Sequence, residues 1–98
     1  MDKKKFVLDG HNMKTEDEFY DELQRVLCPG FKHFGRNWNA VNDILRGGFG
    51  MYELGEEILL VFKYKKWVEK HLNPNYITQL KKCVSSVPNV EIIFTNNA

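Results

Sequence analysis

Five consecutive apolar residues, Ile58-Leu59-Leu60-Val61-Phe62, stand near the middle of this 98-residue chain. The run is far shorter than a membrane span, and its β-branched residues favour a β-strand. A strand that carries no polar residue on either side predicts burial on both faces, which is typical of parallel sheets. This run therefore favours an α/β fold whose central strand is covered on both sides.

Two further segments predict the other strands. Phe6-Val7-Leu8 ends at the turn residues Asp9-Gly10, and residues 90–95 form the last strand. Helical segments separate the three strands, and this alternation favours parallel pairing through right-handed crossovers. The predicted fold class is α/β, with a three-stranded parallel sheet and helices packed on it. The predicted order is β-α-α-β-α-α-β, in a single domain over residues 1–98.

The first helix is predicted to begin at Thr15. Thr15 and Glu18 have the spacing of a capping box, in which each side chain satisfies a free backbone N–H. An apolar stripe at helical spacing follows, and Pro29-Gly30 ends the helix. The stripe consists of Phe19, Leu23, Val26 and Leu27.

A second helix is predicted from Trp38 to Arg46, with Asn37 as its N-cap. Its spacing separates an inner face from an outer, polar face. Trp38, Val41, Ile44 and Leu45 form the inner face, and Asn39, Asn42, Asp43 and Arg46 form the outer face. The glycine-rich loop at residues 47–50 ends the helix.

The second half of the chain predicts two more helices. Residues 65–72 form a short one, and Asn73-Pro74 supplies a cap and a first helical position for the next. That helix ends at Pro88-Asn89, and its apolar positions have helical spacing. These positions are Ile77, Leu80, Val84 and Val87.

Composition limits the class of protein. A 43% hydrophobic and 13% aromatic content is typical of a globular domain, and the net charge of +1 does not by itself indicate a nucleic acid or a membrane partner. The two cysteines, Cys28 and Cys83, are predicted to be free thiols in a reducing cytoplasm. The apolar run after the charged amino terminus ends at Leu8, which is too short for a signal peptide. We therefore expect a cytoplasmic protein.

The segment Phe34-Gly35-Arg36-Asn37-Trp38-Asn39-Ala40-Val41-Asn42-Asp43-Ile44-Leu45 resembles the signature of the barstar family. That signature has an aromatic residue, a glycine, a variable residue and an asparagine, then an apolar residue, an aspartate, an alanine and an aliphatic residue. After one more position come a second aspartate and, shortly afterwards, a leucine. The matching residues are Phe34, Gly35, Asn37, Ala40, Val41, Asp43 and Leu45. The predicted order of elements also suits the family.

The resemblance implies an intracellular inhibitor of a secreted ribonuclease or related nuclease toxin. The second helix and the loop before it would enter the catalytic cleft, where a carboxylate takes the place of an RNA phosphate. Asp43 is the residue expected to do this. No catalysis, cofactor, metal, membrane or direct nucleic-acid contact is expected, and a monomer is expected. The expected partner-binding residues are Phe34, Gly35, Arg36, Asn37, Asn39, Asn42, Asp43, Arg46 and Phe49.

Three features depart from the family pattern. Asn39 stands where the signature has its first aspartate, Gly48 stands where the best-known member has a tryptophan, and the chain is nearly neutral. A weakly charged face steers a cationic partner poorly. The partner is therefore expected to be less basic than the familiar target, or to be bound through different hot spots. Phe49, Met51 and Tyr52 are candidate apolar anchors for it.

Other classes of function remain open from the sequence. One of them is an enzyme. The histidines His11, His33 and His71 lack metal-ligand spacing to the cysteines, and the sequence brings together no nucleophile, base and oxyanion donors. His33 and Asp43 could lie near each other.

The stronger rival is a nucleic-acid-binding module at residues 63–70, where lysines alternate with aromatic residues. A solvated basic helix with Trp67 packed inward explains the same pattern, and salt dependence of RNA binding would separate the two. A structural or self-associating domain is a third possibility that nothing in the sequence requires.

Overall fold

The computed structural model describes residues 3–31 and 34–96. Its elements confirm the predicted fold class and the order β-α-α-β-α-α-β, and a short 3₁₀ turn, Gly10–Asn12, follows the first strand. The strands are β1 (Lys4–Asp9), β2 (Ile58–Lys63) and β3 (Val90–Phe94), and the helices are α1 (Glu16–Leu27), α2 (Trp38–Leu45), α3 (Lys65–His71) and α4 (Pro74–Ser85).

The three strands form one parallel sheet in the order β1-β2-β3. On the central strand, Ile58, Leu60 and Phe62 have 0% exposure. Their neighbours on the other side, Leu59 and Val61, are only partly buried and do not belong to the core cluster. The helices therefore pack on one face of the sheet, and the prediction that this strand is covered on both faces was wrong.

Topology explains why the second face stays open. Each crossover leads to the next strand in the same direction across the sheet. Right-handed crossovers that advance in one direction place all their helices on the same side. An apolar run predicts where a strand is buried, but it does not say whether the chain has helices left to cover both sides.

The predicted helix caps are largely confirmed. The hydroxyl of Thr15 accepts a hydrogen bond from the Glu18 N–H at 3.1 Å, whereas the Glu18 carboxylate turns to the N–H of Lys14 instead of Thr15. The capping box is therefore only half formed. At α4, the side chain of Asn73 accepts from the Asn75 N–H and Pro74 takes the first helical position, as predicted.

A buried carboxylate joins the end of β1 to α1. Glu22 is 3% exposed and accepts hydrogen bonds from the Asp9 N–H (2.8 Å), the Asn12 amide (3.2 Å) and the Nε and Nη2 of Arg25 (2.9 and 2.7 Å). Burial acts to raise the pKa of Glu22, but these hydrogen bonds together hold it below its ordinary value. Glu22 therefore stays ionised and fully bonded at neutral pH.

Candidate partner-binding face

Helix α2 is the predicted recognition helix, and the core holds its inner side. Val41, Ile44 and Leu45 are all buried, with at most 2% exposure. At its start the side-chain oxygen of Asn37 accepts a hydrogen bond from the Ala40 N–H at 2.9 Å. Asn37 therefore acts as the predicted N-cap, so its side chain orients the helix and is less available to a partner.

Side-chain hydrogen bonds from Tyr52 and Asn89 hold the carboxyl end of α2 in place. The Tyr52 hydroxyl lies 2.9 Å from the carbonyl oxygen of Ile44 and 3.0 Å from that of Leu45, and the Asn89 amide donates to Leu45 at 3.2 Å. Tyr52 is buried, and burial raises the pKa of its phenol, so the hydroxyl remains a donor. The expectation that Tyr52 is an apolar anchor for a partner is therefore wrong, because its side chain is buried and its hydroxyl donates to the carbonyl oxygens at the helix end.

Asp43 lies on the exposed side of α2. Asn39, one turn earlier, and Arg46, just after the helix, are exposed as well. No described residue forms a salt bridge or a side-chain hydrogen bond with the Asp43 carboxylate. The helix thus presents a carboxylate to solvent that no described group neutralises.

Beside Asp43 lies a shallow hollow of about 220 Å³. Aromatic and small residues form most of its wall, and among the described residues that line it Asp43 is the charged one. The lining consists of Phe31, Phe34, Gly35, Ala40, Asp43, Ile44 and Phe49. Phe31 is 42% exposed and packs edge-on against Phe49, with ring centroids 5.2 Å apart.

Phe31 was not among the predicted site residues. The sequence feature that could have identified it is its position just after the Pro29-Gly30 turn, in the segment that leads to Phe34. Phe34 is only 8% exposed, so its ring belongs mainly to the core while one side closes the hollow. Gly35 is exposed on the loop before the helix.

Two predicted contact residues are engaged within the chain. The Arg36 guanidinium forms an ion pair with Asp21 and donates to the carbonyl oxygen of Asp17 at 2.8 Å, which ties the loop to α1. The Asn42 amide lies 3.3 Å from the hydroxyl of Ser86 at the end of α4, and its oxygen is buried without a described partner. Asn42 therefore turns toward α4, on the flank of the exposed face.

The loop after α2 is folded tightly against the helix end. Gly47 has φ +95°, and a Cβ there would come within 2.3 Å of the Glu53 carbonyl oxygen, so only glycine fits. Leu54, which is 76% exposed, lies next to Gly48, with its Cβ 3.8 Å from where a Gly48 Cβ would stand. An apolar side chain thus projects near the position where the family's best-known member has a tryptophan.

The lysines and aromatic rings of residues 63–70 match a solvated basic helix with Trp67 packed inward better than a surface on which bases stack. Trp67 packs against the core, one face of its ring is stacked on His71 at 4.1 Å, and Lys65 pairs with Glu69 at 3.3 Å. The ring of His11 lies on Tyr64 at 3.6 Å. Histidine side chains of the same chain are therefore already stacked on the rings of Tyr64 and Trp67, where a base would have to stack.

The described residues contain no group of three or more histidine, cysteine or acidic side chains placed to hold a metal ion. His33, which the sequence placed near Asp43, lies outside the described residues. Cys28 and Cys83 are free, and burial raises the pKa of both thiols, which disfavours the nucleophilic thiolate. Within residues 3–31 and 34–96, no helix has the length and apolar character needed to cross a membrane.

Comparison with known proteins gives one family. The family model described as Barstar (barnase inhibitor) matches residues 3–90, nearly the whole chain. No curated protein matches the chain. The matched range contains β1, β2, all four helices and the hollow beside Asp43.

Proposed function

This chain belongs to the barstar family, and on that premise we propose that it binds and blocks the active site of a barnase-like ribonuclease or related nuclease toxin. The family is described as one of barnase inhibitors, which are binding proteins and not enzymes. In this proposal the protein acts in the cytoplasm as an immunity protein, and it protects the cell from a nuclease that the cell exports.

The observation that carries the proposal is the Asp43 carboxylate on a rigid helix, which none of the described residues pairs with. A ribonuclease cleft binds RNA phosphate with cationic side chains, and charge-assisted hydrogen bonds to such groups are among the strongest in proteins. Because α2 is capped by Asn37 and fastened by Tyr52, little ordering entropy is lost when Asp43 is bound. Helix α2 therefore presents its charge in a fixed position.

The hollow beside Asp43 supplies the apolar part of the interface. Aromatic residues in well-packed pockets dominate binding energy, and a ring of less important contacts excludes water around them. Phe31 and Phe49 border the hollow and are partly accessible, so a partner side chain placed there would shield the Asp43 contact from water. Shielding strengthens the electrostatic part of binding.

The neutral Asn39 and the exposed Arg46 favour a partner other than a strongly cationic enzyme. Asn39 can form hydrogen bonds but brings no charge, and Arg46 stands three residues from Asp43 on the exposed side. The face therefore has mixed charge. We expect its partner to offer a cation to Asp43 and an acidic or polar group near Arg46.

The test compares two substitutions one helical turn apart. Tagged wild-type protein, Asp43→Ala and Asn39→Ala are used to capture nuclease from extracts of the producing cell. We expect Asp43→Ala to weaken the recovered complex by about 2 kcal/mol or more, the range of an interface hot spot, and Asn39→Ala by much less. Equal and negligible losses from both variants would show that this helix face is not used.

A further inference from the structure

The sheet face opposite the helices carries an apolar row. In the strand register Val7 pairs with Val61, and Val61 pairs with Ile93, so these three side chains lie side by side across the sheet. Leu59 stands next to them on the central strand. Ile93 is 47% exposed, and none of the four belongs to the core cluster.

An open face of this kind is unusual for a parallel sheet. Parallel sheets are found almost always with both faces covered, and contiguous exposed apolar residues mark contact surfaces. No described segment of the chain packs on this face, since Leu59, Val61 and Val7 all retain exposure. The apolar row therefore calls for a cover from outside the described chain.

The neighbouring row of the same face shows which cover fits. Lys5 on β1 pairs with Leu59, and Leu59 pairs with Glu91 on β3, so the row has a cation at one edge, an apolar centre and an anion at the other edge. Glu91 also pairs with Lys3 of the same chain, whose Nζ lies 3.5 Å from its carboxylate, so part of the negative charge at that edge is already offset. The face thus has opposite charges at its two edges.

A two-fold axis that runs parallel to β2 makes two rows of this face complementary to themselves, the apolar row and the row from Lys5 to Glu91. In the third row it brings the two copies of Lys63 over each other, and Asp9 of the same chain lies beside each of them. Rotation about that axis sets β1 of one copy over β3 of the other, so that Lys5 faces the second copy's Glu91, and the reverse. The same rotation places Leu59 over Leu59, Val61 over Val61, and Val7 over Ile93. Closed two-fold pairs are the commonest oligomers, and aligned sheets pack face to face about 10 Å apart.

We propose that the chain forms a homodimer through the open sheet face. The intrachain contact between Lys3 and Glu91 does not compete strongly, because both side chains are exposed and such pairs contribute little. This proposal differs from the monomer expected from the sequence, and the tests below decide between the two. It goes beyond the proposed inhibition, and it leaves that surface free, because α2 belongs to the helix layer on the opposite side of the sheet.

The first test measures the average mass as a function of protein concentration by sedimentation equilibrium. The concentration is raised to about 1 mM, because a dimer with a dissociation constant above this value is very weak. We expect the wild type to shift to dimer and Ile93→Lys to weaken dimerisation by at least about tenfold, since a charge enters the apolar row. Leu54→Lys is the matched control: it places the same charge at an exposed leucine off the sheet and should leave dimerisation unchanged. Circular dichroism checks the fold of each variant.

The second test swaps the edge charges. Lys5→Glu alone and Glu91→Lys alone should each weaken the dimer, and the double variant should restore it, because each new glutamate again faces a lysine of the other copy. A wild type that stays monomeric overturns the proposal. So does a dimer that Ile93→Lys leaves intact, or a double variant no better than the singles. Nuclease capture by Ile93→Lys should remain at the wild-type level, so the dimer and the inhibitory role are tested separately.

Discussion

At the scale of single residues, Glu22 shows how a buried charge can be stabilising. Burial alone would favour its neutral form, but the Arg25 guanidinium, the Asp9 N–H and the Asn12 amide satisfy the ionised carboxylate. Because the pKa is lowered in the folded protein, the group stabilises the fold above its unfolded pKa near 4.5. That contribution is lost as the pH falls through the folded value.

We therefore predict that Glu22→Gln lowers the free energy of unfolding at pH 7 by about 1–3 kcal/mol, because it leaves buried donors poorly satisfied. The difference from wild type should shrink as the pH falls from 5 toward 2. Urea unfolding at a series of pH values measures this, with the exposed Glu57→Gln as the control. A difference that stays constant through this range would contradict the assignment.

Asp43 could be identified from the sequence, whereas its surroundings could not. Helical spacing placed it on the outer face, and the structure shows it exposed there. The same spacing placed Asn42 outward, but the structure turns it to Ser86 because α4 crosses beside α2. Phe31 was missed because its contact with Phe49 joins two loops that are far apart in sequence.

At the scale of elements, α2 is short and depends on its two ends. A helix of 8 residues is too short to be stable alone, so its caps and its buried side hold it in place. The N-cap was predictable because asparagine before an amphipathic segment is a local signal. The Tyr52 contact at the other end was not, because it needs the loop at residues 47–51 to fold back on the helix.

We predict that Asn37→Ala destabilises the protein by about 1 kcal/mol, because the Ala40 N–H loses its acceptor. Asn37→Ser, which keeps an acceptor, should recover most of the loss. Chemical unfolding measures both variants, and nuclease capture should weaken in proportion to the loss of helix order. A serine variant as unstable as the alanine variant would mean that Asn37 acts through some other contact.

At the scale of the whole molecule, one topological choice produces two surfaces. The consecutive strand order sends the helices to one side, where α2 presents Asp43, and leaves the apolar row of Val7, Val61 and Ile93 on the other. The apolar run in β2 was therefore correctly recognised as a strand, and the prediction that both of its faces are covered was wrong. An apolar run predicts that a strand is buried, but it does not predict what covers each of its faces.

Titration of a captured nuclease with the purified protein shows whether Asp43 blocks the active site of that enzyme. The nuclease is released from the complex, and its cleavage of a fluorescent RNA is measured against added wild type, Asn39→Ala and Asp43→Ala. The control measures binding of the protein to that RNA without nuclease. If residues 63–70 bound RNA, the protein would lower cleavage by sequestering the substrate, and this inhibition would weaken steeply as the salt concentration rises.

We predict that wild type and Asn39→Ala abolish cleavage at about one equivalent, as expected of tight binding well above Kd. Asp43→Ala should need a large excess, and none of the three should bind the RNA. If wild type leaves cleavage unchanged, the protein is not an inhibitor of this nuclease; if Asp43→Ala inhibits as well as wild type, Asp43 is not the group that blocks the active site.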